Sequence, residues 1–164
     1  MSIMHTWFEC KVRYEKTLEN GLVKKVTEPY LVDALNFTEA ESRIIDEMKP
    51  FISGEFTVSD IRRANYSELF DSAEEAADRW FKCKVYFITI DEKSGKEKKT
   101  ASNMLVQAAD LHDAVKKLDE GMKGTLSDYT IASVAETPIL DVYPYGVEND
   151  KPEFAEAGAA NKAE

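Results

Sequence analysis

Two stretches of the chain set aromatic rings and cations in one strand phase: Trp7, Lys11 and Arg13, and later Trp80, Lys84 and Tyr86. Rings among cations on a sheet face are what stacking on nucleobases needs. The ring gives a sequence-tolerant platform, and ammonium or guanidinium groups meet the phosphates. The same alternation fits two sheets packed through their tryptophans, and no RNP-like aromatic signature is present. Both readings stand on the sequence.

Cys10 and Cys83 are the other tempting pair, as a redox couple or part of a metal site. They alternate in phase with Phe8 and Val12, and with Phe81 and Val85, which assigns them to a buried face where a thiol without a cationic neighbour is inert. Two cysteines and two histidines spell out no zinc site, and no metal or other cofactor is expected. His5 lies near the amino terminus and is expected to fray; His112 falls in the first turn of a helix; neither has an evident partner. Glu9-x-Lys11 and Glu97-x-Lys99 have the spacing that some metal-dependent nucleases use to hold an ion and a nucleophilic water, but the position of Glu9 is taken by Lys82 in the related segment. There is no glycine-rich phosphate loop, Gly-x-Ser-x-Gly elbow or His-Glu-x-x-His motif. An enzyme is not expected. The basic doublets Lys24-Lys25, Arg62-Arg63, Lys98-Lys99 and Lys116-Lys117 read mainly as solvated positions, since lysines on edge strands oppose sheet aggregation.

The elements that must position these residues come as a duplication. Trp7-Phe8-Glu9-Cys10-Lys11-Val12 recurs as Trp80-Phe81-Lys82-Cys83-Lys84-Val85, an offset of 73 that uses both tryptophans and both cysteines. After one inserted residue the match continues at offset 74: Gly21 with Gly95, Leu31-Val32 with Leu105-Val106, Ala40 with Ala114, and Met48-Lys49 with Met122-Lys123. It then returns to 73, pairing Phe56, Val58, Leu69 and Phe70 with Tyr129, Ile131, Val142 and Tyr143. Insertions of this kind fall in turns and loops, where length is tolerated.

Each copy reads as strand, hairpin turn, strand, helix, strand and short strand. Alternating Phe8, Cys10, Val12 and Tyr14 mark a half-buried strand, and Asn20-Gly21 and Ser94-Gly95 mark hairpin turns. Asn36 and Asp110 are expected helix N-caps, each with an acid three residues on, Glu39 or Asp113. Apolar residues spaced by three and four from Phe37 to Met48 and from Leu111 to Met122 make one stripe per helix. A slip of phase predicts bulges at Ser59-Asp60 and Ala132-Ser133. Short strands follow at Tyr66 to Phe70 and Ile139 to Tyr143, and the join Asp71 to Arg79 is expected to form a helical turn or two. The fold class is therefore α+β, a tandem duplication of a ββαβ(β) unit with antiparallel sheets each covered by one helix, the copies related by a pseudo-two-fold. The first repeat covers 1–73 and the second 74–146. Residues 147–164, with five acids against two lysines, read as a disordered acidic tail.

Across 164 residues, 31 acids against 21 bases give a net charge of −10, which opposes non-specific capture by nucleic acid or anionic membrane. No stretch approaches the roughly 18 apolar residues of a membrane helix, and the amino terminus has no apolar signal core, so a cytoplasmic protein is expected.

The segments WFECKVRYEKTLENGLVKKVTEPYLVDALNFTEAE, FTVSDIRRANYSELF, EEAADRWFKCKVYFITIDEKSGKEKKT and MLVQAADLHDAVKKLDEGMKGT closely resemble the domain of unknown function 4494 family of small proteins of Bacteroidota and their phages. That resemblance implies a lineage and a cytoplasmic or phage-encoded setting, and it supplies no catalytic residue. The function expected is a non-enzymatic binding or accessory protein that holds a protein or small-molecule partner at the repeat seam or on a sheet face. Single-stranded nucleic acid bound through Trp7, Lys11, Arg13, Trp80, Lys84 and Tyr86 is the alternative, and a metal-dependent nuclease the second alternative.

Overall fold

The structure is a computed structural model that describes residues 5–144; the acidic tail expected at 147–164 lies outside the described residues. The chain runs β1 (Trp7–Thr17), β2 (Val23–Asp33), α1 (Phe37–Met48), β3 (Phe56–Ala64), β4 (Glu68–Phe70), β5 (Arg79–Ile90), β6 (Glu97–Ala108), α2 (Leu111–Gly121), β7 (Asp128–Glu136) and β8 (Asp141–Tyr143). The α+β duplication is seen element for element. The join holds one turn, closed by the Ala77 N–H on the Glu74 carbonyl at 3.1 Å, in place of a helical segment.

Local chemistry accounts for each element. Both hairpins turn on a glycine at positive φ, Gly21 at 85° and Gly95 at 72°, a conformation that costs other residues a Cβ clash. The Asn36 side chain accepts from the Glu39 N–H and the Asp110 side chain from the Asp113 N–H, both at 2.8 Å. In return Glu39 accepts from the Leu35 N–H and Asp113 from the Ala109 N–H, so each helix starts with a reciprocal cap. The bulges fall where the phase slips: β1 against β3 skips Ser59, and β5 against β7 skips Ala132.

Each helix lays its stripe on one sheet. Ala40, Ile44 and Met48 of α1 close over Phe8, Cys10, Val12 and Val32, and Ala114 and Leu118 of α2, with Met122 just beyond it, close over Phe81, Cys83, Val85 and Val106. Full burial of side chains of this size is worth about 1.5–3 kcal/mol each, which makes these layers the main source of stability.

The short strands depart from the expected arrangement. The sheets run β3-β1-β2-β8 and β4-β6-β5-β7, so each copy's last strand completes the other copy's sheet, and does so in parallel. The expected repeat limits fall between residues 73 and 74. Among the described residues the compact units are offset from that boundary: 5–64 with 141–144, and Asn65–Leu140. Chain length gives the reason. To pair beside its own β2, β4 would have to pass three strand positions, roughly 14 Å, and also step back about 10 Å along the strand. The four steps from Ala64 to Glu68 span at most about 14 Å fully extended. The first copy's own edge is out of reach.

Among the described residues, no helix is long and apolar enough to cross a membrane.

Candidate binding face

The six residues singled out by phase divide three and three. Trp7, Lys11 and Arg13 lie on β1 and Trp80, Lys84 and Tyr86 on β5, all on the sheet face away from the helix. Within each sheet the alternation is as expected, but the rings are not platforms. Trp7 is 3% exposed and Trp80 4%, which leaves no ring face for a base. Trp7 is stacked on by His5 with centroids 5.0 Å apart, and the Trp80 carbonyl is held by the N–H and hydroxyl of Thr137. His5, expected to be frayed and alone, instead pairs through Nδ1 with the buried Asp33 carboxylate, which also accepts from the Thr6 N–H at 3.0 Å. A partner 28 positions away in sequence has no local signal.

The polar residues of the face keep their access. Arg13 is exposed, Lys11 and Lys84 are half-buried, and the Lys84 ammonium sits 5.4 Å from the centroid of the half-buried Tyr86 ring, a cation–π contact.

Arg13 opens onto a recess of about 710 Å³ in the first unit. Its floor comes from three strands: Arg13, Glu15 and Thr17 of β1, Val23 and Lys25 of β2, and Thr57 of β3. The register puts Arg13 opposite Thr27 and Thr57, and Glu15 opposite Lys25, so all of these share the helix-free face. Ser53, Gly54 and Glu55, leading from α1 into β3, form a wall, and Tyr14 and Phe56, which pack against the core under α1, complete the lining at the sheet's end. Among the described residues the side chains of Arg13 and Lys25 form no ion pair within 4 Å. Lys25 was legible as half of a doublet, and its phase with Arg13 becomes visible once the hairpin register is known. Thr57 and Ser53 carried no signal.

A second recess of about 660 Å³ in the other unit is lined by Phe70, Ser72, Glu74, Lys117 and Gly121. Its one cation is already satisfied, with Lys117 Nζ 3.1 Å from Glu74, 3.0 Å from Asp113 and 3.0 Å from Ser72 Oγ. Desolvation works to lower Lys117, but the bonds to Asp113 and Glu74 outweigh it and hold the group above the ordinary lysine range. The Ala109 N–H and then Lys117 hold Asp113 below the ordinary carboxylate range. This cluster fastens the join to α2.

The thiols are core groups. Cys10 and Cys83 are 0% exposed. Burial, followed by the carboxylates of Glu9, Asp60 and Glu41, pushes Cys10 up to about 12, and burial alone pushes Cys83 up to about 11. Among the described residues no three His, Cys, Asp or Glu side chains gather to hold a metal ion. Glu9 and Lys11 lie in one sheet, Glu97 and Lys99 in the other.

The family model for a domain of unknown function, DUF4494, matches residues 6–145, which takes in both copies and both exchanged strands. The chain belongs to the DUF4494 family. No curated protein matches it.

Proposed function

We propose that this DUF4494 protein is a non-enzymatic binding or accessory protein that takes a polar small molecule or a protein partner on the helix-free face of its first sheet. The observation that carries this reading is the recess around Arg13, where two cations that form no ion pair within 4 Å among the described residues stand beside hydroxyls and carboxylates over a three-stranded floor. A site with few fixed polar groups in a concave surface is how proteins orient a ligand.

Nucleic acid is the second reading, favoured by the Lys84–Tyr86 contact and by Lys11 and Arg13. It ranks lower because the tryptophans are buried and the chain carries −10.

Thermal melts of the full chain against a panel of metabolites and peptides test the first reading. A ligand at a hundred times its Kd stabilises by about 2.7 kcal/mol, a readily measured shift. The shift is expected to vanish in Arg13→Ala and Thr57→Arg and to persist in Lys84→Ala; a shift indifferent to Arg13 and Thr57 sinks the assignment. For the second reading, a labelled single-stranded oligonucleotide is titrated at low ionic strength, where phosphate contacts are strongest. No binding is expected, and salt-sensitive binding would reverse the ranking.

A further inference from the structure

The β1–β2 hairpin ends in exposed apolar side chains: Leu18 is 37% exposed, Leu22 63% and Val23 60%. The duplication supplies an internal control. The corresponding positions of the second hairpin are Asp91, Lys96 and Glu97, and the two turns close with corresponding backbone bonds around loops that differ by one residue. Leu18 N–H meets Leu22 O at 2.8 Å and Gly21 N–H meets Leu18 O at 2.9 Å; Asp91 N–H meets Lys96 O at 2.9 Å and Gly95 N–H meets Asp91 O at 2.7 Å. A hairpin end in the same place of the duplicated unit therefore closes with charged residues at these positions, so hairpin closure does not itself require leucine or valine there.

Two further features adjoin that tip. β8 covers β2 only at Tyr30–Val32, and among the described residues no strand pairs with the outer edge from Val23 to Pro29. Lys24 and Lys25 on this edge and Arg13 on β1 form no ion pair among the described residues, in a chain whose total charge is −10. Lysines alone would read as protection of an edge; at the other hairpin Lys98-Lys99 are accompanied by one exposed apolar side chain, Ile90 at 68%, against three at the first tip.

We infer that the hairpin end of the first unit docks an extended, acidic, leucine- or valine-bearing segment of a partner protein. The segment adds its backbone to the open edge of β2, packs apolar side chains on Leu18 and Leu22 on one face, and sets its carboxylates against Lys25 and Arg13 on the other. Strand addition of this kind draws affinity from main-chain bonds and specificity from the flanking side chains. The proposal rests on the sheet-face reading above, because Val23 and Lys25 line both the edge and the recess.

The test uses the full chain and a fluorescein-labelled peptide in which leucine and glutamate alternate. Binding that weakens with salt is expected, with no binding of the same peptide carrying lysine for glutamate. The triple variant Leu18→Asp, Leu22→Lys, Val23→Glu grafts the side chains that the second hairpin carries at these positions; with a circular dichroism spectrum that matches the parent's, its affinity is expected to fall by at least about tenfold, equivalent to 1.4 kcal/mol. Absence of peptide binding at low salt, equal binding of the lysine peptide, or indifference to the graft overturns the proposal. Two other results overturn it in favour of another occupant: a dimer in light scattering that the graft abolishes assigns the edge to a second copy, and graft-sensitive oligonucleotide binding assigns it to nucleic acid. If the peptide fails while an Arg13-dependent melting shift is found, the recess reading stands and only the peptide assignment falls; if both fail, both fall.

Discussion

The two units share a core and differ at one edge. Phe8, Cys10, Val12, Ala40 and Ile44 under α1 answer to Phe81, Cys83, Val85, Ala114 and Leu118 under α2, and all are buried. Where the exchanged strand docks, the first unit has Tyr14, Glu28, Tyr30 and Tyr143; the matching residues of the second are Phe87, Ser102, Met104 and Phe70. In the first, the hydroxyls of Tyr14 and Tyr30 donate to Glu28 Oε1 at 2.8 and 3.2 Å. Burial and then the Glu28 bond push Tyr14 up to about 12; burial and Glu28 also hold Tyr30 above the ordinary tyrosine range. In the second, Ser102 meets the Ser67 hydroxyl, and the other three matching residues, Phe87, Met104 and Phe70, are apolar. Packing under the helix tolerates little variation in volume, whereas a sheet edge accepts either an apolar or a fully bonded polar layer. Divergence therefore collects at the edges and hairpin tips.

The strongest way to break this comparison is in the shared core. Ile44→Ala and Leu118→Ala each remove a fully buried side chain, and each is expected to destabilise by about 2–5 kcal/mol. Because β4 and β8 each complete the other copy's sheet, both variants are expected to lower one common unfolding transition, followed by calorimetry and by circular dichroism. Two separated transitions, each moved by one variant, would show that the exchange does not couple the units.

At the edge the expected asymmetry is smaller. Glu28→Ala leaves two tyrosine hydroxyls without their acceptor and is expected to cost about 1–3 kcal/mol, while Ser102→Ala costs less than about 1 kcal/mol. Urea titration of both variants measures it. Equal costs would mean that solvent already satisfies the Tyr14 and Tyr30 hydroxyls.

The caps bring the comparison back to equality. Asn36→Ala and Asp110→Ala each remove an acceptor for an N–H three residues on and should cost about 1 kcal/mol apiece. Their legibility from sequence is no accident, since a cap is decided within four residues. The bulges at Ser59 and Ala132 and the burial of Cys10 and Cys83 were readable for the same local reason. The destination of the short strands was not. Leu69-Phe70 and Val142-Tyr143 look alike as sequence, and the choice of sheet turns on how far Asn65–Ser67 can reach. Alternation likewise gave the side on which Trp7 and Trp80 point, and not whether that side is covered. Of the binding face, Lys11, Arg13, Lys84 and Tyr86 were legible as accessible polar groups, while the recess depends on the register of three strands and the loop at Ser53.

The smallest expected difference is in pH response. Lys117 of α2 ties Glu74 and Asp113, whereas its counterpart Arg43 of α1 donates to the backbone carbonyl of Asp33. Asp113 is held below its unfolded value, so its contribution is present above the ordinary carboxylate pKa of about 3.9 and is lost as pH falls through the lower folded value. Lys117 is held above its unfolded value, so its contribution is complete below about 10.4 and is lost as pH rises through the folded value. Between those limits the cluster is insensitive to pH. Hydrogen exchange of the first turn of α2 is therefore expected to quicken in acid more than that of α1, and to quicken again above the lysine range. In Lys117→Met the alkaline limb should vanish, while part of the acid limb persists through the Ala109 N–H on Asp113. An alkaline limb that survives the substitution would locate the titrating group elsewhere in the second unit.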